Sequence, residues 1–164
     1  MRKMYISRSA EDTLEIGRVL GSFLRAGDSV LLYGDLGAGK SVLARGCARA
    51  LGIKCDMASP TFTIMQPYAG DGVNVYHFDL YRLSDADELY YTGLEDRIGT
   101  DGVALIEWPQ QADVCPEVRV EADILRGADA DTRYIEFSFF GMDGRESGIV
   151  SALEKYASPE ETEL

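Results

Sequence analysis

The octapeptide Gly34-Asp35-Leu36-Gly37-Ala38-Gly39-Lys40-Ser41 constrains this chain more than any other feature. It matches G-x4-G-K-[ST] in full, and about 0.005 such matches are expected by chance at this composition, so coincidence is set aside. A buried-strand pattern, Ser29-Val30-Leu31-Leu32-Tyr33, precedes it. A helical pattern from Lys40 to Leu51 follows, with Val42, Leu43, Ala44, Cys47, Ala48 and Leu51 inward and Gly52 as its stop. Glycines let the backbone curl until several N–H groups converge on phosphate oxygens. The helix aims its positive N-terminus at the same point. Lys40 would reach the β- and γ-phosphates, and the Ser41 hydroxyl would bind Mg2+.

The rest of the chain reads as α/β: a single P-loop NTPase domain, a mostly parallel central sheet with antiparallel hairpin additions. Ser9 to Ala26 has helical spacing, with Ser9 as N-cap, Asp12 three residues on and Gly27 as stop. Thr61 to Tyr68 and Val73 to Phe78 are rich in β-formers around Ala69-Gly70-Asp71-Gly72, a hairpin signal. Asp85 to Leu89 starts a short helix, and Val103 to Ile106 is another buried strand. Val118 to Leu125 and Tyr134 to Phe140 form a second hairpin pattern, and Gly148 to Tyr156 fits a terminal helix. At 164 residues this is one domain, residues 1–157, followed by an acidic, disordered tail, 158–164.

A P-loop needs a second carboxylate, delivered by a neighbouring strand, to hold the metal. Val103-Ala104-Leu105-Ile106-Glu107 fits that pattern, and Val75-Tyr76-His77-Phe78-Asp79 fits it less cleanly. Glu107 is therefore the expected metal residue. Asp79 would orient or deprotonate the attacking water, or join the metal shell. His77 lies mid-strand and reads as a packed core histidine.

Charge and cysteines narrow the partners. Sixteen Lys and Arg against 28 Asp and Glu leave −12, which should repel nucleic-acid phosphates. Arg45, Arg49 and Lys54 are the nearest thing to a basic patch, and they read as a solvated helix face. The three cysteines have no CxxC spacing, as expected of reduced thiols in a cytoplasmic protein, and no structural zinc site is expected. No apolar run approaches a membrane span. No N-K-x-D motif supports guanine recognition, and no Arg-rich lid supports a small-molecule kinase.

Four motifs in order resemble the TsaE (YjeE) family: the loop Gly34 to Ser41, then Ser59-Pro60-Thr61-Phe62-Thr63, His77-Phe78-Asp79-Leu80-Tyr81-Arg82 and Glu107-Trp108-Pro109. The resemblance covers about Thr13 to Pro109. It implies a small bacterial P-loop ATPase needed to make N6-threonylcarbamoyladenosine beside the anticodon of tRNA. ATP and Mg2+ would be bound by Gly37, Ala38, Gly39, Lys40 and Ser41, with Glu107 as the second metal residue. Thr61 would be a switch threonine near the γ-phosphate, and Asp79 the catalytic or metal-linked carboxylate. Lys40 counts among the catalytic residues. Pro60 would hold Ser59 extended. Ser9 and Arg133 are the candidates where the N-terminal helix and a late strand close over the base. Trp108 is either core or part of the nucleotide or partner surface. The partners implied are TsaB and TsaD, with tRNA reaching the subunit only through the complex. The alternatives are a nucleotide-gated assembly module without essential hydrolysis and a small P-loop kinase.

Overall fold

In the computed structural model, which describes residues 1–60 and 63–159, the glycine-rich loop joins a buried strand to a helix, as its pattern requires. The strands are β1 (Arg2–Ser7), β2 (Ser29–Tyr33), β3 (Met65–Ala69), β4 (Asn74–Asp79), β5 (Gly102–Glu107), β6 (Arg119–Arg126) and β7 (Arg133–Phe140). The helices are α1 (Ala10–Gly21), α2 (Lys40–Ala50), α3 (Asp87–Thr92) and α4 (Arg145–Ala152), with short 3-10 turns between. The strands form one seven-stranded sheet in the order β1-β7-β6-β2-β5-β4-β3. β2 runs parallel to β5 and β6, and β4 runs parallel to β5. The pairs β1–β7, β6–β7 and β3–β4 are antiparallel, so the parallel centre carries hairpins on both flanks.

Strand alternation divides the core into two layers. Val30, Leu32, Val103 and Leu105 face α1 and α2, where Ile16, Leu20, Leu43 and Cys47 are buried against them. Leu31, Ala104, Ile106 and Phe78 face the other side, under Leu89 of α3 and Ala112. The two large helices lie unusually close. A methyl group at Gly17 would stand 2.3 Å from the Leu43 carbonyl oxygen, and one at Gly46 would stand 2.2 Å from that of Leu14. This contact brings the start of α1 toward the loop, where a methyl group at Gly39 would stand 3.9 Å from that of Thr13.

The structure corrects the sequence reading at three places. First, β1 was not expected. Its inward positions are Tyr5 and Ser7, and a serine at a buried site hides the alternation. The Ser7 hydroxyl is satisfied by the Ser9 carbonyl and the Thr13 hydroxyl. Second, α1 stops at Gly21 and does not continue to Ala26. The Ser22 hydroxyl bonds back to the Val19 carbonyl, and Asp28 accepts the Arg25 backbone N–H, so local side-chain bonds replace helical ones. Arg145 then grips Asp28 through both guanidinium N–H groups and also the Phe23 carbonyl, which fixes the route into β2. Third, the last helix begins three residues earlier, at Arg145 and not at Gly148, and ends at Ala152, with a 3-10 turn to Tyr156. Beyond it Ala157 bridges Tyr5, and the Ser158 N–H bonds to the Met4 carbonyl at 2.9 Å, so Ser158, expected to open the tail, is docked and buried. Residues 160–164 lie outside the described residues.

Candidate functional site

The site lies at the carboxyl ends of β2, β4 and β5, the usual place for a ligand in an open parallel sheet. Gly34 at φ +147° and Gly39 at φ +115° give the loop a path that side-chain-bearing residues rarely follow. Gly34 also has no room for a side chain, since a methyl there would stand 2.7 Å from the Ile124 carbonyl oxygen. Gly39 caps α2 without any side-chain hydrogen bond, so no cap side chain takes up the first N–H groups of that helix. Around them is a cavity of about 310 Å3, lined by Gly37, Gly39, Lys40, Ser41, Ser59, Asp79, Glu107 and Trp108, among others.

Glu107 is the hub of the site. It closes β5, where all six residues are buried, and it lies opposite Asp79 in the parallel register with β4. Its Oε1 accepts from the Ser41 hydroxyl at 3.0 Å. Its Oε2 lies 3.1 Å from the Ser59 hydroxyl and 2.7 Å from His77 Nε2. The two hydroxyls are themselves 2.9 Å apart. Two hydroxyl protons thus serve three contacts, which leaves an oxygen-rich cluster with a shortage of protons. Burial pushes the Glu107 carboxyl up, but the hydrogen bonds from His77, Ser41 and Ser59 outweigh it and hold the group below the ordinary glutamate value.

Lys40 is buried, and its ammonium donates to the carbonyls of Gly34 and Asp35 while lying 4.3 Å from the centre of the Trp108 ring. Burial lowers its proton affinity, and the charges of Glu107, Asp79 and Asp35 act against that. Asp79 accepts the Tyr81 backbone N–H at 3.1 Å. Burial, supported by the Glu107 charge, raises its carboxyl above the ordinary aspartate value despite that N–H and Lys40. Trp108 has φ +58°, a rare conformation for a bulky residue, and packs against Tyr81 with ring centres 4.9 Å apart. It both lines the cavity and covers the second core layer, so the two readings of Trp108 describe one ring.

The structure therefore brings Lys40, Ser41, Asp79 and Glu107 together with Gly37 and Gly39 of the loop. Ala38 is buried, and its carbonyl accepts from Arg133 Nε at 2.8 Å, so Arg133 holds the loop from behind. Ser9 stands apart from the cavity lining and caps α1, its hydroxyl accepting the Asp12 N–H at 3.0 Å. Thr61 lies outside the described residues. Three participants carried no site role in the sequence reading. Ser59 opens the Ser-Pro-Thr motif, where it was read only as a residue that Pro60 holds extended, and it joins the hydroxyl–carboxylate cluster. Arg126, the register partner of Arg133, donates to the Leu36 carbonyl at 2.6 Å. His77 is fully buried, as a core histidine would be, yet it bonds to the hub carboxylate.

The donor set fits a small hard cation only with help. Among the described residues no group of three or more His, Cys, Asp or Glu side chains is arranged to hold a metal. One hydroxyl and one carboxylate beside a phosphate loop are what Mg2+ takes when substrate phosphates and water complete its shell.

The sequence model of the family described as "Threonylcarbamoyl adenosine biosynthesis protein TsaE" matches residues 7–135. The chain is 44% identical over 109 residues to the tRNA threonylcarbamoyladenosine biosynthesis protein TsaE of Haemophilus influenzae, covering 65% of this chain and 67% of that one. It is 38% identical over 127 residues to the protein of the same name from Treponema pallidum, covering 77% and 93%. The crystal structure of Bacillus subtilis YdiB superposes with a TM-score of 0.73 at 29% identity, covering 94% of this chain and 95% of that one. With most of its length matched by the family and its loop, strand ends and sheet order in place, the chain belongs to the TsaE family.

Proposed function

We propose that this chain is a Mg2+-dependent P-loop ATPase that serves the synthesis of N6-threonylcarbamoyladenosine beside the anticodon of tRNA, in the cytoplasm. The observation that carries the reading is the convergence of Lys40, Ser41, Asp79 and Glu107 on one cavity at the phosphate loop. The role in tRNA modification is supported by the names of the relatives it resembles over most of their length.

In this reading the loop N–H groups bind the phosphates of ATP. Lys40 leaves the Gly34 and Asp35 carbonyls for phosphate oxygens, and the added negative charge favours its protonated form. Ser41 and Glu107 would hold Mg2+, which when bound would supply charge neutralisation to the phosphates. The Ser41 hydroxyl, which donates to Glu107, would exchange that bond for a place in the cation's shell. Asp79, with its carboxyl more basic than usual, orients the attacking water and accepts its proton. Thr61 would stand near the γ-phosphate, and Ser9 and Arg133 near the base. Trp108 and Tyr81 give the site an aromatic wall on the solvent side.

The ATPase does not perform the carbamoyl transfer; it acts with TsaB and TsaD, the latter being the transferase. The test is ATP hydrolysis by this chain alone and with a TsaB–TsaD pair. Mg2+-dependent phosphate release that rises with the pair supports the reading. Tight ATP binding with no hydrolysis in either setting would make the chain a nucleotide-gated assembly module.

A further inference from the structure

The two oxygens of Glu107 are not equivalent. Among the described residues, Oε2 takes two contacts, from His77 Nε2 at 2.7 Å and from the Ser59 hydroxyl at 3.1 Å, whereas Oε1 takes one, from Ser41 at 3.0 Å. A carboxylate can only accept, so Nε2 carries the ring proton. The other nitrogen, Nδ1, is buried and finds no hydrogen-bond partner among the described residues. The contact to Glu107 therefore rests on the Nε2–H. His77 sits two residues before Asp79 on β4 and thus on the same face, with Leu105 as its register partner one alternation below Glu107. The imidazole therefore meets the carboxylate from inside the sheet, opposite the mouth of the cavity. A ring kept for packing alone would leave its one short hydrogen bond without a purpose.

We propose that His77 is a positioning residue: by occupying Oε2 it fixes the rotation of the Glu107 carboxylate and leaves Oε1, beside Ser41, as the oxygen offered to the cation. The inference rests on the metal reading above. Residues that orient a ligating group typically change metal affinity by about 10- to 100-fold when lost.

His77 is the only histidine in the chain, so nitrogen-15 histidine labelling reports on one ring. The wild-type protein is expected to give the Nε2–H tautomer. Mg2+ added to the ADP complex should move its ring nitrogens, whereas ADP in EDTA should not. In parallel, Mn2+ uptake by the ADP complex is read by electron paramagnetic resonance. His77→Leu should weaken Mn2+ by about tenfold, and His77→Gln, which keeps an N–H donor, should recover most of that loss. ADP affinity in EDTA should be the same in all three proteins. An Nδ1–H tautomer, a ring silent to Mg2+, or unchanged Mn2+ affinity in His77→Leu would overturn the proposal. If His77→Leu fails to fold, the wild-type tautomer and its Mg2+ response decide alone. Wild-type protein that takes up no Mn2+ with ADP would overturn the metal reading itself, a separate result.

Discussion

Asp79 and Glu107 are register partners on adjacent parallel strands, and their carboxyls are driven in opposite directions. Burial raises Asp79, and the hydrogen bond from the Tyr81 N–H does not compensate. Burial also acts on Glu107, but His77, Ser41 and Ser59 more than cancel it. One strand edge thus carries an ionised acceptor fit for a cation and a more basic carboxylate fit for a proton. Neighbouring acids whose environments separate them in this way divide their chemical roles.

Asp79→Asn should separate binding from turnover. The amide oxygen can still accept from Tyr81, so the local backbone is kept, but no proton can be taken up. ATP affinity by calorimetry should stay within about threefold, while hydrolysis with the partner pair falls by about 100-fold or more. The same variant should be more stable than wild type when empty. An aspartate whose folded value is raised is penalised by ionisation, and the full penalty is present once pH exceeds that folded value. Urea melts at pH 7 should therefore show a gain, and a loss would contradict the burial argument.

Glu107→Gln has the opposite sign. The folded carboxyl lies below the ordinary value, so the ionised form contributes stability above the unfolded value of 4.5 and loses it as pH falls through the folded one. The stability gap between wild type and Glu107→Gln should be largest near neutrality and narrow as the pH drops below the ordinary glutamate range. A gap that stays constant across that window would show that the substitution acts through packing alone.

Lys40→Ala removes the buried cation of the loop and leaves the Gly34 and Asp35 carbonyls without its ammonium. Affinity for ATP with Mg2+ should fall at least tenfold, about 1.4 kcal/mol. Calorimetric titration measures it directly, and an unchanged affinity would mean that the loop is not a phosphate site.

The parts of this molecule that the sequence made legible are those encoded locally. The phosphate loop, the strand before it and the helix after it each follow from adjacent residues. Glu107 was readable because four apolar residues lead into it. What escaped was set by distant partners. β1 exists as a strand through its pairing with β7, more than a hundred residues away, while its polar inward Ser7 is satisfied by Ser9 and Thr13. α1 stops short where Ser22 and Asp28 bond to nearby backbone, and Arg145 holds that Asp28 from across the fold, a contact that no helical periodicity registers. His77 had the hydrophobic neighbours of a core residue, and only the parallel register of β4 with β5 brings its ring to Glu107.

The Arg145–Asp28 pair should be worth more than a surface salt bridge. Both side chains are largely buried, at 17% and 3% exposure, and the guanidinium uses two N–H groups on the carboxylate. Removing one member leaves a buried charge without its partner. Asp28→Ala should cost about 3 kcal/mol in denaturant melts. Replacing Asp12, whose carboxylate accepts an N–H in an exposed part of α1, should cost no more than about 1 kcal/mol.

The isolated chain should bind tRNA weakly or not at all near physiological salt. Affinity for phosphate backbones comes from Lys and Arg that are free to displace counterions. Here 16 such residues stand against 28 acids, and the structure commits several of them. Arg18 pairs with Glu15, Arg25 with Asp143, Arg119 with Glu121 and Arg145 with Asp28. Arg126 and Arg133 are turned onto the carbonyls of the phosphate loop, and Lys40 lies inside it. On α2 and just beyond, Arg49 and Lys54 are exposed while Arg45 is only partly so, which leaves two exposed cations there, too few for a competitive footprint. Fluorescence titration with labelled tRNA should give no saturation in the low micromolar range at about 150 mM salt. Tight, salt-sensitive binding by the chain alone would place an RNA surface on this subunit and overturn the view that RNA reaches it only through the complex.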